Sequence, residues 1–110
     1  MVKIIAMIKR QDHLTHQEFS RYWRENHGPL AARLIPGLKR YVQNHLILGE
    51  GEEPAFDGVA ELWLEDMQAL QTMFEFYNSD AGKVVRDDED KFFDRNKLVV
   101  LVAEEKVIKQ

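Results

Sequence analysis

Apolar residues cluster in four short stretches and recur at three- and four-residue spacing between them. VKIIAMIK (2–9) is β-rich and apolar on both alternating faces, with Val2, Ile4, Ala6 and Ile8 on one side and Ile5 and Met7 central to the other. Such a strand suits the middle of a sheet. LKRYVQNHLIL (38–48) reads as a long second strand, FDGVAELWLE (56–65) as a third and NKLVVLVAEE (96–105) as a fourth, the last again apolar on both faces. In the third, Phe56, Gly58, Ala60, Leu62 and Leu64 make one face wholly apolar, whereas Asp57, Val59, Glu61 and Trp63 make the other mixed. GEGEEPA (49–55) predicts an exposed, mobile connection.

The intervening stretches are helical. Thr15-His16-Gln17-Glu18 is a capping box, and Phe19, Tyr22, Trp23, Asn26, His27 and Leu30 follow as one helical stripe. Gly28-Pro29 predicts a break, because proline lacks a backbone donor and disfavours helical geometry in the residue before it. A second short helix then runs from Leu30 to Ile35, and Pro36-Gly37 ends it. Asp66 caps a helix with Met67, Leu70, Met73, Phe74 and Tyr77 on its apolar side; Asn78-Ser79-Asp80 breaks it, and a further segment carries Val84, Val85 and Asp88 to Phe92.

The order β-α-β-β-α-β predicts a single α+β domain over residues 1–110 with ferredoxin-like topology, a four-stranded antiparallel sheet covered by helices on one face. Three of its strands are apolar on the uncovered face too. A second copy is the simplest cover, so the expected assembly is a homodimer through the open sheet face, a dimeric α+β barrel.

Charge and composition narrow the partners. A net charge of −4 with no Lys/Arg cluster longer than two residues argues against nucleic acid and against an anionic membrane surface. The apolar run in MVKIIAMIKR is too short to span a bilayer and has no signal-peptide cleavage pattern. The absence of cysteine removes disulfides and thiolate chemistry and fits a cytoplasmic protein. No phosphate-cradling glycine motif is present, and His13 and His16 flank a helix cap with no third ligand, so no cofactor and no metal are expected. Asp87-Asp88-Glu89-Asp90 reads as a solvated helix face, with Asp88 as the one member that can pack.

The runs FSRYWRENHGPLAARLIPGLKRYVQN, FDGVAELWLED and DDEDKFFD together resemble the EthD family of dimeric α+β-barrel proteins. The resemblance spans nearly the whole chain. It rests on an aromatic-rich helix ending in His-Gly-Pro, a strand with Tyr led by Pro-Gly, an Asp-Gly-x-x-Glu-x-Trp strand and a late Asp-Glu-x-x-Phe. It implies a place beside ether-degradation oxygenases, and kinship with methylmuconolactone isomerases and with polyketide cyclases or dehydratases that do cofactor-free acid/base chemistry. The histidine and tyrosine implicated in the isomerase relatives fall by motif on His27 and Tyr41.

The residues themselves gather a compatible set of groups. With Leu38, Val42, Leu46 and Leu48 pointed at the helices, Tyr41, Gln43 and His45 face the barrel interior, as do Glu61 and Trp63 of the third strand. His27, at the end of its helix, reaches the mouth of that cavity. An imidazole, a phenol, a carboxylate and an aromatic wall suffice to take a proton next to a carbonyl and to stabilise the enolate. In this reading His27 and Tyr41 are catalytic, and His45, Glu61, Trp63 and Gln43 bind substrate, a small lactone or an aromatic or polyketide-like metabolite. The alternative is a non-catalytic binding or accessory protein that holds a small apolar metabolite for an oxygenase pathway.

Overall fold

Strand β1 (Val2–Ile8) lies in the interior of a four-stranded sheet, between β3 (Gly58–Leu64) and β4 (Val99–Glu104), with β2 (Arg40–His45) on the far edge of β3. All pairings are antiparallel, and the order β2-β3-β1-β4 is the ferredoxin-like one. The computed structural model describes residues 1–110. The central place of β1 accounts for its two apolar faces. Ile4 and Ile8 pack under the helices, and Ile5 and Met7 lie on the opposite, open side.

The helices are α1 (His16–Tyr22), α2 (Gly28–Leu34), α3 (Met67–Tyr77) and α4 (Lys83–Glu89), and they cover one face. Thr15 caps α1 with the complete capping box, and Asp66 caps α3 through the Ala69 amide. The core between the layers is aromatic at one end, where Phe19, Trp23 and Phe92 are 0–1% exposed, and aliphatic at the other, around Ile4, Leu64, Leu70 and Met73.

Three expectations need correction. The first concerns the helix break. Gly28 is helical (φ −55°, ψ −54°), and residues Trp23–His27 form a π-turn that joins α1 to α2 without interruption. The Gly28 amide reaches back to the Trp23 carbonyl. That widened turn absorbs the donor Pro29 lacks and gives its ring room, so the chain stays helical.

The second concerns the direction of β2. Tyr41 stands opposite Leu62, Gln43 opposite Ala60 and His45 opposite Gly58, and directly paired residues share a face. Tyr41, Gln43 and His45 therefore point at the helices, not at the open face. Val42 stands opposite Glu61 on the open side, and Leu46 and Leu48 lie beyond the end of the strand, where alternation no longer sets their direction.

The third concerns charge. Within the acidic run, Asp87 and Asp90 are exposed and Asp88 packs inward, as its place on the helix allowed, but Glu89, expected on the solvated face, turns inward as well. The connection over 49–55 is exposed yet anchored: Glu53 pairs with Lys9 and Arg10, and the Pro54 carbonyl accepts from Lys9. Behind it, fully buried Asp57 accepts from the Arg10 amide and side chain and from His16. Burial raises the Asp57 carboxyl, but these donors outweigh it and hold the group below the usual carboxylate range.

Candidate functional site

A cavity of about 140 Å³ lies between the inner face of the sheet and the helices of a single chain. Its walls are largely aliphatic and aromatic, from Ile4, Ala60 and Leu62 of the sheet to Ala31, Met73 and Phe74 of the helices. Polar groups enter it from His27, Tyr41, Tyr77 and Glu89. A mostly apolar pocket with a few convergent polar groups is the usual form of a small-molecule site.

His27 comes from the last residue of the π-turn, 5% exposed, with its ring 4.9 Å from that of Phe92. Its Nδ1 lies 2.8 Å from Asp88 Oδ2, and the other Asp88 oxygen accepts from the Tyr22 hydroxyl at 2.5 Å. Burial raises the Asp88 carboxyl, but Tyr22, His27 and Lys91 outweigh it, so the group titrates below the usual range and is ionised. A carboxylate only accepts, so the proton sits on Nδ1 and the lone pair on Nε2. Burial pushes the His27 pKa down against the pull of Asp88, which favours the neutral ring at pH 7. A neutral imidazole with a fixed tautomer, held by a carboxylate and open at Nε2, is the arrangement of a general base.

Tyr41 is placed by a chain of side chains. The Gln43 amide nitrogen donates to the Trp23 carbonyl and to the Tyr41 oxygen, each at 2.9 Å. His45 Nε2 donates to Gln43 Oε1 at 2.8 Å, which leaves its Nδ1 to accept from Ser20 at 3.1 Å. Because Tyr41 accepts from Gln43, its own proton is available to the cavity. Burial keeps the Tyr41 pKa above its ordinary value, so it is a neutral donor. Gln43 and His45 thus act behind Tyr41, and His45 also packs on Trp23 at 4.6 Å between ring centroids.

Glu89 is the third ionisable group. Tyr77 donates to its Oε1, Arg95 lies 3.4 Å from the same oxygen, and Oε2 is 4.0 Å from His27 Nε2. Burial lifts the Glu89 carboxyl to about 7.

Glu61 and Trp63 are absent from this constellation. Both lie on the open face, where Glu61 pairs with Lys3 at 2.9 Å and accepts from Asn44. Trp63 has the Lys3 ammonium 4.9 Å and the Arg40 guanidinium 4.6 Å from its ring centre. The structure therefore brings His27, Tyr41, Gln43 and His45 to one side of the sheet and leaves Glu61 and Trp63 on the other. Asp88, expected only to pack, Tyr22 and Tyr77, expected only as stripe residues, and Glu89, expected in solvent, were not among the expected site residues. For the two acids the signal was periodic: Val85, Asp88, Glu89 and Phe92 share one helical stripe, so two acids stand where core residues belong. The imidazole of His16 faces Asp57 and the Leu46 carbonyl, and no group of three or more His, Asp and Glu side chains is arranged to hold a metal.

Comparison with known proteins adds to this geometry. The EthD domain matches residues 11–96. The chain is similar to an EthD family protein from Bacillus halodurans, with 28% identity, 96% of this chain and 99% of the other covered, and a TM-score of 0.71. It also resembles an EthD-like protein from Ralstonia eutropha, at 19% identity, 98% and 94% coverage and a TM-score of 0.67. A dimeric protein of unknown function with a ferredoxin-like fold from Bacteroides fragilis shares the fold, at 12% identity, 94% and 95% coverage and a TM-score of 0.63. No curated protein matches the chain.

Proposed function

The chain belongs to the EthD family, and we propose that it is a cofactor-independent acid/base catalyst acting on a small lactone or aromatic or polyketide-like metabolite. The ligand sits between the helices and the sheet of one chain. His27 Nε2 takes a proton from a carbon next to a carbonyl, and the C–H electrons move into the new double bond. The carbonyl oxygen, gaining negative charge, accepts from Tyr41, which Gln43 and His45 hold in place. Returning the proton from the His27 imidazolium elsewhere on the skeleton isomerises the molecule; giving it to a β-hydroxyl that leaves as water makes the step a dehydration, and giving it to the alkoxide formed when the enolate carbon attacks a second carbonyl makes it a cyclisation. The observation that carries this reading is the His27–Asp88 pair, which leaves Nε2 without a hydrogen bond on a residue that lines an apolar cavity.

A second copy completes the proposed assembly. Ile5, Met7, Val59 and Leu101 share the open face by strand register, and Leu101 is 48% exposed. Covering that apolar surface with the same surface of a partner removes it from water, as the dimeric neighbour of this fold suggests.

Proton exchange tests the catalytic claim. In D2O the wild type exchanges the acidic C–H of a panel of small lactones and cyclic ketones, and His27→Gln loses the activity by about 100-fold or more. Binding without exchange, unaltered in His27→Gln, would instead identify a carrier.

A further inference from the structure

We propose that Glu89 is a second catalytic group of this cavity, a carboxylic acid that faces His27 across its polar end, and that the pair accepts a neutral single-ring ligand. The inference rests on the acid/base reading above and extends it to a residue and a ligand class.

The geometry separates the two oxygens of Glu89. Oε1 is taken by the Tyr77 hydroxyl, which Arg95 Nη1 in turn reaches at 2.6 Å. Oε2 has no side-chain hydrogen bond and lies 4.0 Å from His27 Nε2. That distance is too long for a hydrogen bond, and both atoms belong to residues that line the cavity, so one ligand oxygen or carbon can address both. The charged and titratable groups around Glu89 come from every neighbouring element: His27 from the π-turn, Tyr77 from α3, Tyr41 from β2, and Arg95 and Asp90 from the segment after α4. Burial dominates. It outweighs the Tyr77 and Arg95 donors and holds the carboxyl near neutrality, while burial keeps His27 neutral.

The cavity wall also sorts ligands. No lysine or arginine lines it. A carboxylate ligand would therefore enter beside Glu89 with no cation to meet it. A volume of about 140 Å³ is close to that of apolar cavities, roughly 150 Å³, that accept benzene. That volume matches one ring with one or two oxygens.

Applied to a cyclic ketone, His27 Nε2 removes an α-proton and the C–H pair forms the C=C bond. The carbonyl π electrons move to oxygen, which takes the proton of Glu89. The products are the enol, an imidazolium and a carboxylate; once the imidazolium has exchanged its Nε2 proton with D2O, the reverse step restores all three groups and leaves deuterium on carbon.

The experiment uses cyclohexanone as substrate, follows its α-proton exchange in D2O by NMR, and uses phenol and benzoate as inhibitors. Glu89→Gln keeps the shape of the side chain and is expected to lower kcat by about 100-fold with KM little changed, and to remove the loss of rate near pH 7. Tyr77→Phe removes a donor that favours the carboxylate, so it moves that loss to higher pH. Should Glu89→Gln not fold, an unmoved profile in Tyr77→Phe overturns the proposal. Phenol competes and benzoate does not; equal inhibition by both overturns the ligand class. Wild-type kcat in Glu89→Gln, with His27→Gln inactive, refutes the role of Glu89 and leaves the acid/base reading standing. No exchange by the wild type overturns both.

Discussion

In the proposed chemistry His27 would act through the proton on its Nδ1 and the lone pair this leaves on Nε2, and Asp88 sets both. Asp88→Asn replaces a carboxylate that only accepts with an amide that can also donate, so the tautomer is no longer fixed. The variant should lose exchange activity by about 100-fold and roughly 1–3 kcal/mol of stability, and its His27 should titrate still lower, because Asp88 is what raises it. A variant with unchanged rate and His27 titration would show Asp88 to be packing alone. Glu89 makes a second prediction at this scale. Its folded pKa of about 7 lies above the ordinary 4.5, so the folded state binds this proton more tightly. The stability it contributes is complete below about pH 4.5 and is lost as pH rises through about 7. Measured by urea denaturation, wild type should lose at most about 3 kcal/mol relative to Glu89→Gln between pH 4.5 and 8; a constant difference would place Glu89 in solvent. His27 was legible in the sequence because an ionisable ring on an apolar stripe stands out. Glu89 was not, because it sits in a run of four acids, and only its three- and four-residue spacing from Val85 and Phe92 tells it from Asp87 and Asp90.

At the scale of elements, the helix that presents His27 depends on the π-turn, and the turn depends on Gly28. A Cβ at Gly28 would stand 2.7 Å from the Gln43 amide nitrogen and 3.1 Å from the Trp23 carbonyl. That nitrogen cannot yield freely, since Trp23 and Tyr41 both hold it. Gly28→Ala should therefore cost about 1–3 kcal/mol and weaken exchange by displacing Tyr41, read from thermal melts and kinetics together. A variant as stable and active as wild type would show that Gln43 can move at no cost to Tyr41. The strands were readable from alternation, and the caps at Thr15 and Asp66 from residue type. The misread features share one cause. Alternation fixes the two faces of a strand but not which face meets the helices, and β2 is an edge strand with polar residues on both sides. Gly28-Pro29 has the local chemistry of a break, and the π-turn that carries the helix through it, with the Gly28 amide bonded to the Trp23 carbonyl, has no signal in the residue types alone.

For the whole molecule, the order of elements was enough for the topology, because β-α-β-β-α-β leaves few ways to build one antiparallel sheet. The position of the cavity was not, since it depends on the facing of β2. The cavity lies within one chain, and the open sheet face is the surface the proposed dimer would cover. Light scattering should give twice the 12.9 kDa chain mass, and Leu101→Asp, on the exposed apolar face, should give monomers that still bind ligand. Monomeric wild type would refute the assembly and leave the cavity intact. No helix is long and apolar enough to cross a membrane. The most direct test of the site itself is a thermal melt of wild type and His27→Gln with neutral single-ring ketones, lactones and phenols. At about 100 times its dissociation constant, a bound compound adds roughly 2.7 kcal/mol, a rise on the order of 10 °C. We expect that rise in wild type and its loss or sharp reduction in His27→Gln. If no compound shifts wild type and His27→Gln itself melts far lower, then His27 is a core residue and the cavity is not a site.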